Sequence, residues 1–297
     1  MYFKAELGQS IWQRMSFVLI IQLSLMSSLA SQVYSEGVST LSFQSQESLD
    51  RLARSKHKIA FLALANHFKP QENRFFCGIT TAVILLNALR SNPGSEVVRP
   101  LDLSKYDAKD PTVFPAFIPH LVGSPLVPVF ERYTETSFFN SKTDLIKTKE
   151  EVYGFPPTQS NGKPGVAQPG VTLEDVHRML LAHDIDSQLR HLGESLSKLE
   201  IVDEIKKALA TEGKFILVNY FRLALGQGAR RGHFSPLGAY DEDSDSFLVM
   251  DVTPNVHGWV WAKSIDLLRA MDLQSGENIR RGYLVVQEGN PKRKIKE

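Results

Sequence analysis

The chain carries one cysteine, Cys77, set between a polar, proline-broken stretch (Lys69-Pro70-Gln71-Glu72-Asn73-Arg74) and a long apolar run, ITTAVILLNAL, that begins at Ile79. A thiol in the first turn of a helix meets unpaired backbone N–H groups and the positive end of the helix dipole, and both favour the thiolate. Gly78, beside it, would let a substrate backbone approach closely. His233 opens an apolar, strand-like run after a glycine-rich basic loop, Gly226-Gln227-Gly228-Ala229-Arg230-Arg231-Gly232. Asp251 follows 18 residues later (251 − 233), with a polar turn between, so the two can stand on neighbouring strands at one end of a hairpin. A carboxylate there could hold the second imidazole N–H and set the tautomer. Gln71 precedes Cys77 by six residues (77 − 71), and its amide could donate to an oxyanion. Singly, each residue has a plainer use: a buried thiol, a satisfied histidine, a turn-capping carboxylate, a surface glutamine. Together they describe a thiol nucleophile with its base and orienting group, the equipment for acyl transfer or hydrolysis.

Such a site needs a helix to present the thiol and strands to present the base. The run from Gly78 to Leu89 is long enough for a buried helix, and Asn92-Pro93-Gly94 ends it. Apolar spacing predicts one helix over 49–67. Thr172 with an acidic residue three positions on resembles a capping box and opens a helix to about His183. A short strand over 187–191 and a helix over 197–210 follow. Strands are expected at 214–220, 233–240, 247–252 and 282–287, with a hairpin turn at 241–246 and a short helix over 264–271. Helices first and sheet afterwards is an α+β order. A papain-like architecture fits it, with a helical half carrying the nucleophile and an antiparallel half carrying His233 and Asp251.

Composition narrows the partners. With 34 basic and 33 acidic residues among 297, the net charge of +1 points to no nucleic acid. A single cysteine excludes an internal disulfide and a cysteine-rich metal site. The remaining histidines show no metal-ligand spacing, so no resident metal is expected. Trp259 and Trp261 alternate along a strand-like segment and read as core or cleft wall. Near the N-terminus, FVLIIQLSLM (17–26) follows Lys4 and Arg14 and precedes Ser28-Leu29-Ala30, the layout of a secretory signal peptide, with Met15 an alternative start. The expected organisation is a signal peptide over 1–30 and a catalytic domain over 31–297. Secreted or periplasmic placement follows, membrane-anchored if the segment is not cut. The apolar run is short for a stable membrane span.

Cys77-Gly78 with the run ending Leu86-Asn87-Ala88-Leu89, the segment Gly232-His233-Phe234-Ser235-Pro236-Leu237-Gly238-Ala239-Tyr240, and Leu248-Val249-Met250-Asp251-Val252 resemble the nucleophile, histidine and aspartate segments of the phytochelatin synthase family. Gly170-Val171-Thr172-Leu173-Glu174 and Ser137-Phe138-Phe139-Asn140 are weaker matches. The resemblance covers about residues 40 to 288 and implies a papain-like glutathione γ-glutamylcysteinyltransferase. By it, Cys77 would attack the bond before glycine, form a γ-glutamylcysteinyl thioester, and pass the group to glutathione or to water. His233 would be base and then acid, Asp251 the orienter and Gln71 the oxyanion donor, with Gly78, Gly232 and Arg281 at the substrate. It implies no tightly bound cofactor. Cadmium or zinc would arrive as a metal–glutathione thiolate substrate, because a cysteine-rich C-terminal domain like that of plant members is not expected. A homodimer stays open. The rival reading is a papain-like peptidase acting on other peptides or proteins. Segments 100–128 and 153–170 depart from the family pattern, the second reading as a loop or lid, and this leaves acceptor binding open.

Overall fold

The computed structural model describes residues 37–91, 132–159, 162–192, 196–228, 231–254, 256–273 and 280–289. The segment expected to be a signal peptide, the stretch over 100–128, part of the basic loop before His233 and the basic tail lie outside them.

The protein is a mixed helix and antiparallel sheet (α+β) fold. Among the described residues seven strands form one sheet: β1 (Thr40–Ser42), β2 (Ile185–His191), β3 (Lys214–Phe221), β4 (Gly232–Asp241), β5 (Ser246–Val249), β6 (Val260–Lys263) and β7 (Gly282–Glu288). Their spatial order is β1-β6-β5-β4-β3-β7-β2, and every pairing is antiparallel. The central strands β3, β4 and β5 are almost wholly buried, which matches their near-continuous apolar sequence.

The helices are α1 (Gln46–Arg54), α2 (Ile59–His67), α3 (Cys77–Arg90), α4 (Lys149–Tyr153), α5 (Leu173–Ala182), α6 (Lys198–Leu209) and α7 (Ser264–Asp272). Helix α3 buries residues on every side, from Gly78 to Leu89, as its lack of a polar face requires. It packs on α2 and on β4, so the helix that starts at Cys77 and the strand that carries His233 are neighbours. Complete capping boxes start α4 (Thr148, Glu151), α5 (Thr172, Asp175) and α6 (Ser197, Glu200).

The helix expected over 49–67 is in fact two. Residues 55–58 leave helical geometry to dock on the end of β4. The Ser55 hydroxyl donates to the Tyr240 carbonyl, and the Tyr240 N–H donates to the His57 carbonyl at 2.9 Å. Lys58 Nζ closes α1 by donating to the Leu52 and Ala53 carbonyls at 2.8 and 2.6 Å. These partners sit far away in sequence, so the apolar spacing alone runs through the break. Strand β1, N-terminal to the first expected helix, pairs with β6. Buried Trp261 on β6 donates from Nε1 to Ser48 Oγ at 2.8 Å, while half-buried Trp259 packs among Phe43, Phe61 and Phe68.

Candidate active site

Cys77 is the first residue of α3, which no side chain caps. The N–H groups of its first turn are therefore left for other acceptors. The half-buried Cys77 thiol lies beside the His233 side chain and against the N–H groups of Phe234 and Gly78. Burial pushes the thiol pKa up. The His233 hydrogen bond, the His233 charge and the two N–H groups outweigh it, and the thiol is held below its ordinary range.

His233 is buried near the start of β4, opposite Tyr220 on β3, whose ring meets the imidazole edge-on with centroids 5.7 Å apart. Its backbone carbonyl accepts from Asn219 Nδ2 at 3.1 Å. Nε2 lies 2.8 Å from Asp251 Oδ1 and 3.4 Å from Thr253 Oγ1, which leaves Nδ1 for the thiol. Burial pulls the His233 pKa down. Its hydrogen bonds to Asp251 and Cys77, with their charges, more than reverse this, and the pKa is raised. A depressed thiol and a raised imidazole both favour the thiolate–imidazolium form.

Asp251 lies two residues past β5. The Met250 N–H donates to the Pro236 carbonyl at 3.0 Å, so the chain still runs alongside β4 there and brings Asp251 and Thr253 to His233. Burial raises the Asp251 pKa; the His233 hydrogen bond, the charges of His233 and Arg222, and the Thr253 N–H (2.8 Å) lower it further than burial raises it. It is an ionised carboxylate inside the protein.

Sequence reasoning passed over Arg222. This residue is 1% exposed, and Nη2 donates to both Asp251 oxygens at 2.8 and 2.7 Å and also to Thr253 Oγ1. The arginine thus neutralises the carboxylate that is hydrogen-bonded to the imidazole. The only signal was a cation directly after an apolar strand, with its partner 29 residues away. Breaking a buried pair strands the other charge, at a cost of about 3 kcal/mol or more. Arg222→Met is expected to lower the unfolding free energy by roughly that amount, read by urea denaturation. Unchanged stability would show that this pair contributes nothing net.

Gln71 is buried in the loop before α3. Its N–H donates to the Val252 carbonyl at 2.8 Å, which ties the loop to the residue after Asp251. Its Nε2 donates to the Asn73 carbonyl at 2.6 Å, and Oε1 has no partner among the described residues. Gly78 faces inward. A Cβ there would stand 2.5 Å from Val171 Cγ2, 3.1 Å from Val176 Cγ2 and 3.3 Å from Phe234 Cδ2, so lack of a side chain lets α3 close on the start of α5 and on β4. Gly232 is exposed beside the Arg281 guanidinium. Arg281 is buried, donates to the Leu273 carbonyl and stacks over Phe221 at 5.1 Å, and burial pulls its pKa to about 10. Cys77, His233, Asp251 and Gln71 are thus gathered around one end of the β4–β5 hairpin, with Arg281 at the Gly232 end of β4.

Among the described residues no three His, Cys, Asp or Glu side chains are placed to hold a metal ion, and no helix is long and apolar enough to cross a membrane. His183 is buried between Phe138 and Tyr133, with Nε2 2.8 Å from the Phe138 carbonyl, and burial takes its pKa to about 4.

A family model described as phytochelatin synthase matches residues 33–107 and 127–283. A curated relative, glutathione gamma-glutamylcysteinyltransferase 3 of Lotus japonicus, is 21% identical over 229 residues, which are 77% of this chain and 37% of the relative. The chain thus spans little more than a third of the length of the relative it matches.

Proposed function

The chain belongs to the phytochelatin synthase family, and on that premise we propose that it is a papain-like thiol acyltransferase acting on glutathione. One observation carries the reading. The single thiol, at an uncapped helix start, lies beside a buried histidine whose Nε2 is held by a buried carboxylate. Structural cysteines in a core have no such partner.

In this mechanism the Cys77 thiolate attacks the carbonyl of the peptide bond before glycine. Negative charge develops on the carbonyl oxygen and is met by the N–H groups of the α3 start and by a Gln71 Nε2 proton. His233, protonated at Nδ1, gives that proton to the departing glycine nitrogen, and a γ-glutamylcysteinyl thioester is left on Cys77. His233, now neutral, takes a proton from the acceptor. An acceptor amine of a second glutathione yields a γ-glutamylcysteine oligomer, and water yields free γ-glutamylcysteine. Both routes return Cys77 and His233 to their starting state. Asp251 and Arg222 hold the imidazole in one tautomer throughout. Arg281, beside Gly232, supplies a fork that suits a substrate carboxylate. Cadmium or zinc enters as a thiolate complex of the substrate. The N-terminal apolar segment exports the protein, which N-terminal sequencing of the mature chain tests.

The reading is tested by incubating the full chain with glutathione, with and without cadmium, and identifying products by mass spectrometry. Glycine with γ-glutamylcysteine, or with longer oligomers, supports it and separates hydrolysis from transfer. No product from glutathione alongside cleavage of ordinary peptides would replace it with a peptidase.

A further inference from the structure

Outside the groups already assigned, one buried side chain touches both pieces of the candidate site's frame. Glu135 is 1% exposed, in the turn that follows the undescribed segment. Its Oε1 accepts from the Thr80 hydroxyl, in the first turn of the nucleophile helix, and from the backbone N–H of Glu72 at 3.2 Å. Glu72 is the neighbour of Gln71, and the Thr80 N–H closes on the Phe76 carbonyl at 2.7 Å. One oxygen therefore staples the 71–76 loop to the start of α3. Without it that segment is held by the Gln71–Val252 bond and by the loop's own turns through Asn73.

The second oxygen, Oε2, is buried with no partner among the described residues. Lys69 pairs instead with Glu72 at 2.8 Å, and Lys149 donates to Thr136 Oγ1. Burial, with the charge of Glu72 adding to it, pushes the Glu135 pKa up, against the Thr80 hydrogen bond, the charge of Lys69 and the Glu72 N–H. The geometry leaves Oε1 as the oxygen that links the loop to the helix, and Oε2 outside that link.

We infer that Glu135 is a positioning residue for acyl transfer, which holds Gln71 in register with Cys77 by tying the Glu72 backbone to Thr80. The inference rests on the reading of Gln71 as an oxyanion donor. It predicts a pattern that a purely structural role does not give. Acylation of Cys77 passes through an oxyanion, whereas alkylation by iodoacetamide does not. With one cysteine in the chain, the part of each rate that is lost in Cys77→Ala reports on Cys77.

The experiment compares wild type, Glu135→Ala, Glu135→Gln and Thr80→Val in three rates: glycine release from glutathione, acylation by p-nitrophenyl acetate, and alkylation by iodoacetamide. Glu135→Ala is expected to slow both acyl reactions about ten- to a hundredfold, the penalty of a small misplacement, with alkylation changed less than twofold. Glu135→Gln keeps the acceptor oxygen and should restore the acyl rates, while Thr80→Val gives a milder form of the same defect. If Glu135→Ala does not fold, Thr80→Val against Glu135→Gln carries the comparison. Unchanged acylation, acylation and alkylation slowed together, or a glutamine variant as slow as the alanine one would overturn the inference. Wild type that acylates with the ester but leaves glutathione intact would instead count against the substrate assignment, and the ester arm would still decide the role of Glu135.

Discussion

Cys77→Ala is expected to reduce glycine release from glutathione to the uncatalysed background, with the fold intact. The chain has no second thiol to substitute for it. Alanine is accommodated because the thiol's interactions are with His233 and two backbone N–H groups, and the adjoining core of α3 does not depend on the sulfur. His233→Ala should come within about tenfold of the same loss, because nucleophile and base act as one unit and their effects do not add. A full rate of glycine release from either variant, with thermal unfolding unchanged, would place the chemistry elsewhere.

The second large effect concerns pH. Acyl transfer from a thiolate–imidazolium pair requires Cys77 ionised and His233 protonated. Activity therefore rises with pH as the thiol ionises, below its ordinary range, and falls as His233 loses its proton, above the usual imidazole range. Asp251→Asn removes the negative charge that raises His233. The imidazole is then easier to deprotonate, so the alkaline limb moves to lower pH. On the acid limb the imidazole is still protonated, so the thiol ionises beside an imidazolium as before and that limb does not move up. The bell narrows from its alkaline side. The peak rate should fall on the order of a thousandfold or more, because the orienting carboxylate also selects the tautomer. Arg222 loses its counter-charge in this variant, so unfolding must be followed beside the rate. Asp251→Asn with an unshifted bell would show that the carboxylate does not act through His233.

The two large predictions rest on residues that were legible in the sequence, and for a reason. Cys77, His233 and Asp251 are chemically distinctive types, each at the end of a strongly apolar run, and such runs form buried elements whatever surrounds them. The strands of the central hairpin follow the same logic, as does α3. Arg222, Thr253 and Glu135 were not legible. Arg222 meets Asp251 because the 3-10 turn after β3 and the chain after β5 converge at one end of the sheet. Glu135 reaches Thr80 across 55 residues, with much of the intervening chain undescribed. Neither pairing has a local sequence mark. The break between α1 and α2 was hidden for a related reason, since its cause is the docking of Ser55 and His57 on Tyr240. Gly78 was read for the substrate's approach, and its open side packs on Val171, Val176 and Phe234. Glycine's smallness is visible in a sequence, but the neighbour that needs it is not.

The most direct test of the central claim is to trap the covalent intermediate. The full chain is mixed with glutathione, quenched in acid within one turnover, and read by intact-protein and peptide mass spectrometry. The account predicts one γ-glutamylcysteinyl group on the peptide that contains Cys77, labile to hydroxylamine as a thioester is, and absent from Cys77→Ala. Turnover of glutathione with no such adduct, or with the adduct on another residue, would contradict it.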